Sequence, residues 1–251
     1  MKEEDVITHI LTSSTHSDVL FFTDKGKVYQ IKMFELPEGK RSTRGKSIRN
    51  FLGISDTERV TSILAMPKDV KASSLNLILG TKQGITKKVA IDSFKQVRAS
   101  GIIAISLDKD DELLGAHFVA KDDTVLLVSS EGQSIRFKEG DVRTMGRTAG
   151  GVRAMKLDKK DYIVGMCVAK STVDKKTTVL VLAQNGYGKQ TELSEYKVQN
   201  RGGSGIKVMQ VTDKTGLVVG VGIVQNETEL IAISQKGQVI RTSLESIPVI
   251  S

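Results

Sequence analysis

Five short apolar runs recur along this chain at intervals of about 50 residues, and each leads into a polar–glycine step. They are Val19–Phe22, Leu75–Leu79, Thr124–Val128, Thr178–Leu182 and Glu229–Ile233. The steps are Asp24-Lys25-Gly26, Lys82-Gln83-Gly84, Ser130-Glu131-Gly132, Gln184-Asn185-Gly186 and Gln235-Lys236-Gly237. A polar residue followed by glycine between strands signals a hairpin, because glycine takes up positive φ without steric cost. The returning segments Val28–Ile31, Ile85–Val89, Ile135–Lys138 and Val239–Thr242 alternate apolar and polar residues, with Lys or Arg at several outward positions.

A further strand is expected before each hairpin, at Val6–Leu11, Val60–Ala65, Leu113–Val119, Ile163–Val168 and Leu217–Ile223. Another follows a second set of glycines, Gly45, Gly101, Gly151 and Gly205, at Ile48–Leu52, Ile102–Leu107, Val152–Leu157 and Ile206–Val211. The glycines of a pair lie 19, 17, 19 and 19 residues apart, and a partner for Gly237 would fall near position 256, beyond Ser251. Four strands per unit is the makeup of a propeller blade. No long segment has the 3.6-residue period of an amphipathic helix. The expectation is therefore an all-β, propeller-like array of four-stranded blades, about five of them present, in one domain over residues 1–251. The units run roughly 5–54, 59–107, 111–157, 161–211 and 215–251, the last incomplete.

Composition narrows the setting. Apolar residues make up 39%, which suits a globular chain; aromatics are only 4%, and there is no Trp. No apolar run reaches the roughly 18 residues needed to span a bilayer, and the first residues do not resemble a signal peptide. The single cysteine, Cys167, excludes an internal disulfide framework and fits a reducing compartment. A cytoplasmic, non-membrane protein is expected.

Charge changes the picture more. Glu38–Arg49 and Lys82–Arg98 each carry +4, Gly132–Arg153 +3 and Gly186–Lys207 +2. The chain as a whole is only +8, so everything outside these equivalent segments is net negative. Acidic residues gather between units, at Asp108–Glu112, Asp122-Asp123 and Asp158–Asp161. A regular array would bring the positive halves to one rim, which suits a polyanion. Lysine-rich solubility alone would scatter the charge instead.

Other chemistry is poorly supported. Gly39–Gly45 followed by Lys46-Ser47 looks like a phosphate loop but has five residues between its glycines instead of four, and Ile48–Leu52 is too short for the helix such a loop must open. His9, His16 and His117 lack zinc-ligand spacing, and Cys167 reads as a small buried apolar residue. The paired acids read as solvated turns, and no nucleophile elbow is present. No catalytic residue, metal site or cofactor is expected.

The candidate contacts are Arg41, Arg44, Lys46 and Arg49 in the first unit, and Lys87, Lys88 and Arg98 in the second. Arg136, Lys138, Arg143, Arg147 and Arg153 follow in the third, and Lys189, Lys197, Arg201 and Lys207 in the fourth. Arginine beside glycine suits phosphate, since the backbone can approach and its amides can donate. Interleaved aromatics for stacking on single strands are absent, and so is a recognition helix for the major groove. What remains is sequence-independent contact with the backbone of duplex DNA, which is salt-dependent through counterion release.

At these residues the chain resembles the C-terminal β-pinwheel domain of the DNA gyrase A subunit, over essentially its whole length. The motifs that carry the likeness are Lys2–Asp5, Asp24–Tyr29, Glu35–Pro37 with Arg44–Lys46, Arg136–Lys138 and Gln184–Lys189. The resemblance implies a six-bladed disk whose blades exchange strands, with duplex DNA wrapped around a positive outer edge so that an ATP-dependent type II topoisomerase introduces negative supercoils. It implies the rest of gyrase A and gyrase B as partners, no catalytic role for the isolated domain, and a monomer. The family's basic box, Gln-(Arg/Lys)-Arg-Gly-Gly-(Arg/Lys)-Gly, would precede Met1; its nearest match is Gln199–Gly205, with Asn200 and Ser204 at two of the basic positions. The related domain of topoisomerase IV and a protein-interaction propeller of the WD40 kind are the alternatives. The absence of Trp removes the WD40 signature dipeptide.

Overall fold

The computed structural model describes residues 9–40, 45–67, 75–98, 100–174, 176–234 and 238–250. Along the chain, β1 (Asp18–Thr23) and β2 (Lys27–Lys32) form the first hairpin, and β3 (Val60–Ala65) follows. The next set is β4 (Leu75–Thr81), β5 (Ile85–Ala90), short β6 (Ile102–Ile103) and long β7 (Leu113–Ala120). The pattern repeats as β8 (Thr124–Ser129), β9 (Gln133–Lys138), β10 (Val152–Arg153) and β11 (Ile163–Ala169). It repeats again as β12 (Thr178–Ala183), β13 (Gly188–Glu192), β14 (Ile206–Lys207) and β15 (Val218–Val224). β16 (Glu229–Ile233) and β17 (Val239–Ser243) make the fifth hairpin. The five hairpins lie where the polar–glycine steps predict them, and the described residues contain no α-helix.

The strands assemble out of chain order. The sheets run β3-β1-β2-β6, β10-β5-β4-β7 and β11-β8-β9-β14, with a three-stranded β13-β12-β15 and the two-stranded β16-β17. Every pairing between named strands is antiparallel. The strand preceding a hairpin therefore belongs to the blade before it: β3 pairs with β1, and β7 with β4. The strand after a second-type glycine also reaches back, β6 onto β2 and β10 onto β5. Strands β3, β7, β11 and β15 pack against one another in succession and form the inner edges of their sheets. The short strands β6, β10 and β14 lie at the opposite, outer edges.

Glycine makes this exchange possible. Gly132 has φ 76°, and a Cβ there would sit 2.1 Å from the Met209 carbonyl. Its own carbonyl accepts from the Val208 and Met209 amides, at 2.9 and 3.4 Å. Gly26 and Gly84 bind Ala104/Ile105 and Ala154/Met155 in the same way. Two amides converging on one carbonyl end the ladder, so the outer strands have two residues where six were expected. On the other side, Gly205 (φ 79°) is held against the Ser134 carbonyl, which a Cβ would meet at 2.1 Å.

Apolar layers fill the spaces between consecutive sheets. Leu20, Phe22 and Val28 meet Leu77, Leu79, Val89 and Phe94, with Phe22 edge-on to Phe94. Ile78 and Val119 meet Val125, Leu127 and Phe137, while Leu126 and Val128 meet Val179 and Val181. Alternate residues of one strand thus serve two different interfaces, as the pleat requires. Within β1, Val19 and Phe21 point away from the second sheet and pack on Leu52 and Ile54.

Two expected strands differ. Ile48–Leu52 forms a 3-10 turn over Ile48–Asn50; its equivalents pair with the return strand of the preceding unit's hairpin, and the described residues hold no hairpin before the first unit's own. Of Val6–Leu11, residues 9–11 are not strand and the rest lies outside the described residues. The Gln235–Gly237 turn also lies outside them.

Candidate nucleic-acid interface

The fold sorts the cations that the repeat predicts into three groups. In the first, Lys46, Arg98, Lys138, Arg143, Arg153, Lys197 and Lys207 are exposed, and among the described residues none has a carboxylate within 4 Å. Arg153 and Lys207 occupy the same position, two residues after the second-type glycine, on the outermost strands β10 and β14. Ile103 holds that position on β6 and is 45% exposed. Arg49 is exposed but paired with Asp56 at 3.2 Å. Lys189 is half-buried and lines a groove with Lys207, Glu195 and Tyr196. Arg41 and Arg44 lie outside the described residues.

The second group is internal and differs from the outward placement expected of it. Lys87 is fully buried, and its Nζ donates to the carbonyls of Ala104 (2.8 Å), Ala149 (3.0 Å) and Arg147. Burial, with the nearby Arg147 charge, pushes its ammonium down to about 8. Lys88 is buried against Glu139, donating to that residue's carbonyl (3.0 Å) and to its carboxylate. Arg136 is half-buried and donates to the carbonyls of Leu193 (2.9 Å) and Tyr196 (3.2 Å) and to Thr124 Oγ1 (3.0 Å). The physical reason lies in the sheets: β5 and β9 are third strands, covered on the outer side by a short strand and the following unit's loop. A polar residue in the middle of either strand therefore faces protein on both sides.

Lys88 and Arg136 belong to a series that alternation alone did not disclose. Gln30, Lys88, Arg136, Gln190 and Arg241 each stand four residues after a first-type glycine. Three of them, Lys88, Arg136 and Gln190, reach into the 3-10 turn of the next unit, at Glu139, Leu193 and Leu244 respectively, the last at 2.8 Å. Gln30 accepts from the Val97 amide at 3.4 Å. Arg241 instead pairs with Glu229 on its own hairpin. The detectable signal was a long polar side chain at one fixed offset.

The third group is Arg147 and Arg201, each four residues before a second-type glycine and each half-buried. Arg147 Nη1 donates to the Ile103 carbonyl at 3.3 Å; Arg201 Nη1 donates to the Arg153 carbonyl at 3.0 Å, and its Nε to the Asp141 carbonyl at 2.9 Å.

The acidic turns are also accounted for by structure. The Asp111 carboxylate caps the Gln83 and Glu112 amides, and Asp161 caps Glu131 and Tyr162 and accepts from Ser130. Glu58 accepts from Thr23, Lys27, Tyr29 and Ser55. Burial works to raise its carboxyl, but the bonds from Lys27, Tyr29 and Thr23 outweigh that and hold it low. No group of three His, Cys, Asp or Glu residues spaced for a metal occurs among the described residues. Among the described residues, those after Lys46 form a 3-10 turn over Ile48–Asn50 and not the longer helix that a phosphate loop opens; residues 41–44 of that loop lie outside the described residues. Cys167 is half-buried, its thiol pushed up to about 11 by desolvation, and its Sγ lies 3.8 Å from the Val221 carbonyl.

Comparison with known proteins agrees with this architecture. The family model described as DNA gyrase C-terminal domain, beta-propeller, matches residues 17–65, 75–120, 123–168, 177–225 and 228–251, one match per hairpin. The chain is 39% identical over 249 residues to the DNA gyrase A protein of Mycolicibacterium smegmatis, covering 98% of this chain and 29% of that protein. It is 37% identical over 245 residues to the gyrase A protein of Staphylococcus epidermidis, covering 98% and 27%. The chain thus spans less than a third of the length of these relatives. Among solved structures it superposes on a DNA gyrase A C-terminal domain with a TM-score of 0.78 and 26% identity, covering 95% of this chain and 76% of that one. It also superposes on the C-terminal domain of a DNA topoisomerase IV with a TM-score of 0.83, at 23% identity and 94% and 72% coverage. With a matching family segment on each of its five hairpins, the chain belongs to the DNA gyrase C-terminal domain family of β-propellers.

Proposed function

We propose that this chain, acting as a single pinwheel domain, binds duplex DNA through its phosphates and wraps it along the outer edges of successive blades. The observation that carries the reading is the recurrence of exposed cations with no carboxylate within 4 Å among the described residues, Arg153 and Lys207 at one template position on the outermost strands above all. The contact set is Lys46, Arg98, Lys138, Arg143, Arg153, Lys197 and Lys207, with Arg41 and Arg44 added from the sequence pattern. Arg49 and Lys189 contribute less, the first because of Asp56 and the second because it is half-buried. Lys87, Lys88 and Arg136 are excluded, since their donors are spent on protein carbonyls inside the array. In the longer protein the domain would serve a type II topoisomerase in the cytoplasm, alongside the rest of gyrase A and gyrase B, with no chemistry of its own.

Bending a duplex by 40–90° costs on the order of 1–6 kcal/mol, so one blade's contacts would not hold a wrap and several must act together. If about eight phosphates are neutralised, log K against log salt should fall with a slope of roughly −7. A slope near −2 at every duplex length would contradict wrapping. Replacing Lys138, Arg153 and Lys207 together by Glu should weaken binding to all sequences alike; a loss confined to certain sequences would mean base readout instead.

A further inference from the structure

We propose that Arg147 and Arg201 are positioning residues that stitch the outer edges of consecutive blades into one belt and so set the path of wrapped DNA, without being the phosphate contacts themselves. The inference deepens the wrapping reading and rests on it.

Two contacts recur in the same register in two successive loops. The loop that ends at Gly151 lies across β6, the outer strand of the first blade: Arg147 Nη1 donates to Ile103 O, Ser106 N to Ala149 O (3.3 Å) and Ser106 Oγ to Thr148 O (2.7 Å). The loop that ends at Gly205 lies across β10, the outer strand of the second blade. There Arg201 Nη1 donates to Arg153 O, Gly202 N to Ala154 O (2.6 Å) and Lys156 N to Gly203 O (2.8 Å). In both cases a residue four before the second glycine meets one two after the previous second glycine. Residues two before and five after meet in the same register. Each loop then enters the outer strand of its own blade, β10 or β14, so each arginine joins two neighbouring outer edges.

Arginine suits this task. Its planar fork reaches separate carbonyls at fixed angles, as Arg201 does with Arg153 O and Asp141 O, whereas a lysine ammonium is a single point. Lys87 holds the Arg147 carbonyl from beneath, so the first stitch is anchored on its backbone as well as through its side chain. DNA bent around the array pulls unequally on successive blades. A belt of this kind keeps the spacing of the exposed contacts matched to the duplex while that load is applied.

The experiment uses the 251-residue chain with Arg147→Gln/Arg201→Gln and, separately, Arg147→Lys/Arg201→Lys. Each is titrated against a duplex of about 10 bp, one helical turn, and tested for the linking change it leaves in relaxed circles. Short-duplex affinity is expected to stay within about twofold. Wrapping should need at least about tenfold more protein in both variants, since bonds from a charged donor are worth more than the roughly 1.4 kcal/mol that a tenfold change represents. The Lys pair keeps the charge, so its failure to restore wrapping separates geometry from electrostatics. Full rescue by Lys, or short-duplex affinity falling in step with wrapping, would overturn the proposal and make both arginines direct contacts. A wild-type chain that binds no duplex would overturn the wrapping reading itself. Amide exchange at Ser106, Lys156 and Gly202 would then judge the stitch alone: faster exchange in the Gln pair supports it and unchanged exchange overturns it.

Discussion

Lys87 shows how a single residue reads differently in a sequence and in a fold. In the chain it is one of two adjacent lysines on a basic strand, and nothing local separates it from a surface cation. In the structure three carbonyls from two other segments enclose its ammonium. The cost of that enclosure is legible in its proton affinity. Burial pulls the Lys87 ammonium down to about 8 in the folded protein, against about 10.4 for a lysine in an unfolded chain. Between those values the unfolded state binds more protons, so this residue makes stability rise with pH. The slope cannot exceed about 1.4 kcal/mol per pH unit for one site. Denaturant midpoints taken from about pH 7.5 to about 9.5 should therefore climb in the wild type relative to Lys87→Met. The window stops there because tyrosine ionisation enters near pH 10, with the buried Tyr196 held up to about 12. Parallel midpoints in the two proteins would show that Lys87 is not buried as a cation.

Among the elements, hairpins were readable and their partners were not. A polar–glycine step names two strands and their turn with one local signal, so all five hairpins could be placed from residues alone. Strand exchange leaves no such trace: Gly151 and Val152 announce a close approach and a strand, but the sheet they join is fixed by β5, far earlier in the chain. The expected Ile48–Leu52 strand failed for the same reason, since its local pattern was sound and the described residues hold no hairpin in the place its equivalents pair with. The site was legible to a similar degree. The offsets of Arg153 and Lys207 gave the exposed cations, whereas Lys88 and Arg136 could be recognised as blade-to-blade latches only once the next unit's 3-10 turn was in place.

Exchange also makes two glycines of one template position unequal. Gly132 and Gly186 both have positive φ, 76° and 85°, but a Cβ at 132 would strike the Met209 carbonyl at 2.1 Å and one at 186 meets nothing within 4 Å. Gly186→Ala should cost only the left-handed backbone penalty, about 1–2 kcal/mol. Gly132→Ala should cost that and the grip on β14, more than about 4 kcal/mol, a value reached only when a defined feature is broken. Equal losses in chemical denaturation would mean that the outer strand adds little to stability.

At the scale of the whole molecule, the design is an array whose inner edges are apolar strands and whose outer edges are short exchanged strands crossed by basic loops. The loops that end at Gly151 and Gly205 fasten one blade to the next while leaving exposed cations beside the fastening, so cohesion and charge are built from the same segment. The acidic residues cap hairpin-end turns, as Asp111 and Asp161 do, and do not neutralise the exposed set. Such a surface would hold a polyanion along its length with no base readout, and an even distribution of contact is what a bent duplex requires.

The most direct measurement of that account is the topology of closed DNA. Circles relaxed to completion with the chain bound, and then stripped of protein, should keep a linking difference of one constant sign that grows with the amount of protein until the circles are saturated. Replacing Lys138, Arg153 and Lys207 by Glu should abolish it. Tight binding that leaves the linking number of the circles unchanged would contradict the wrapping account.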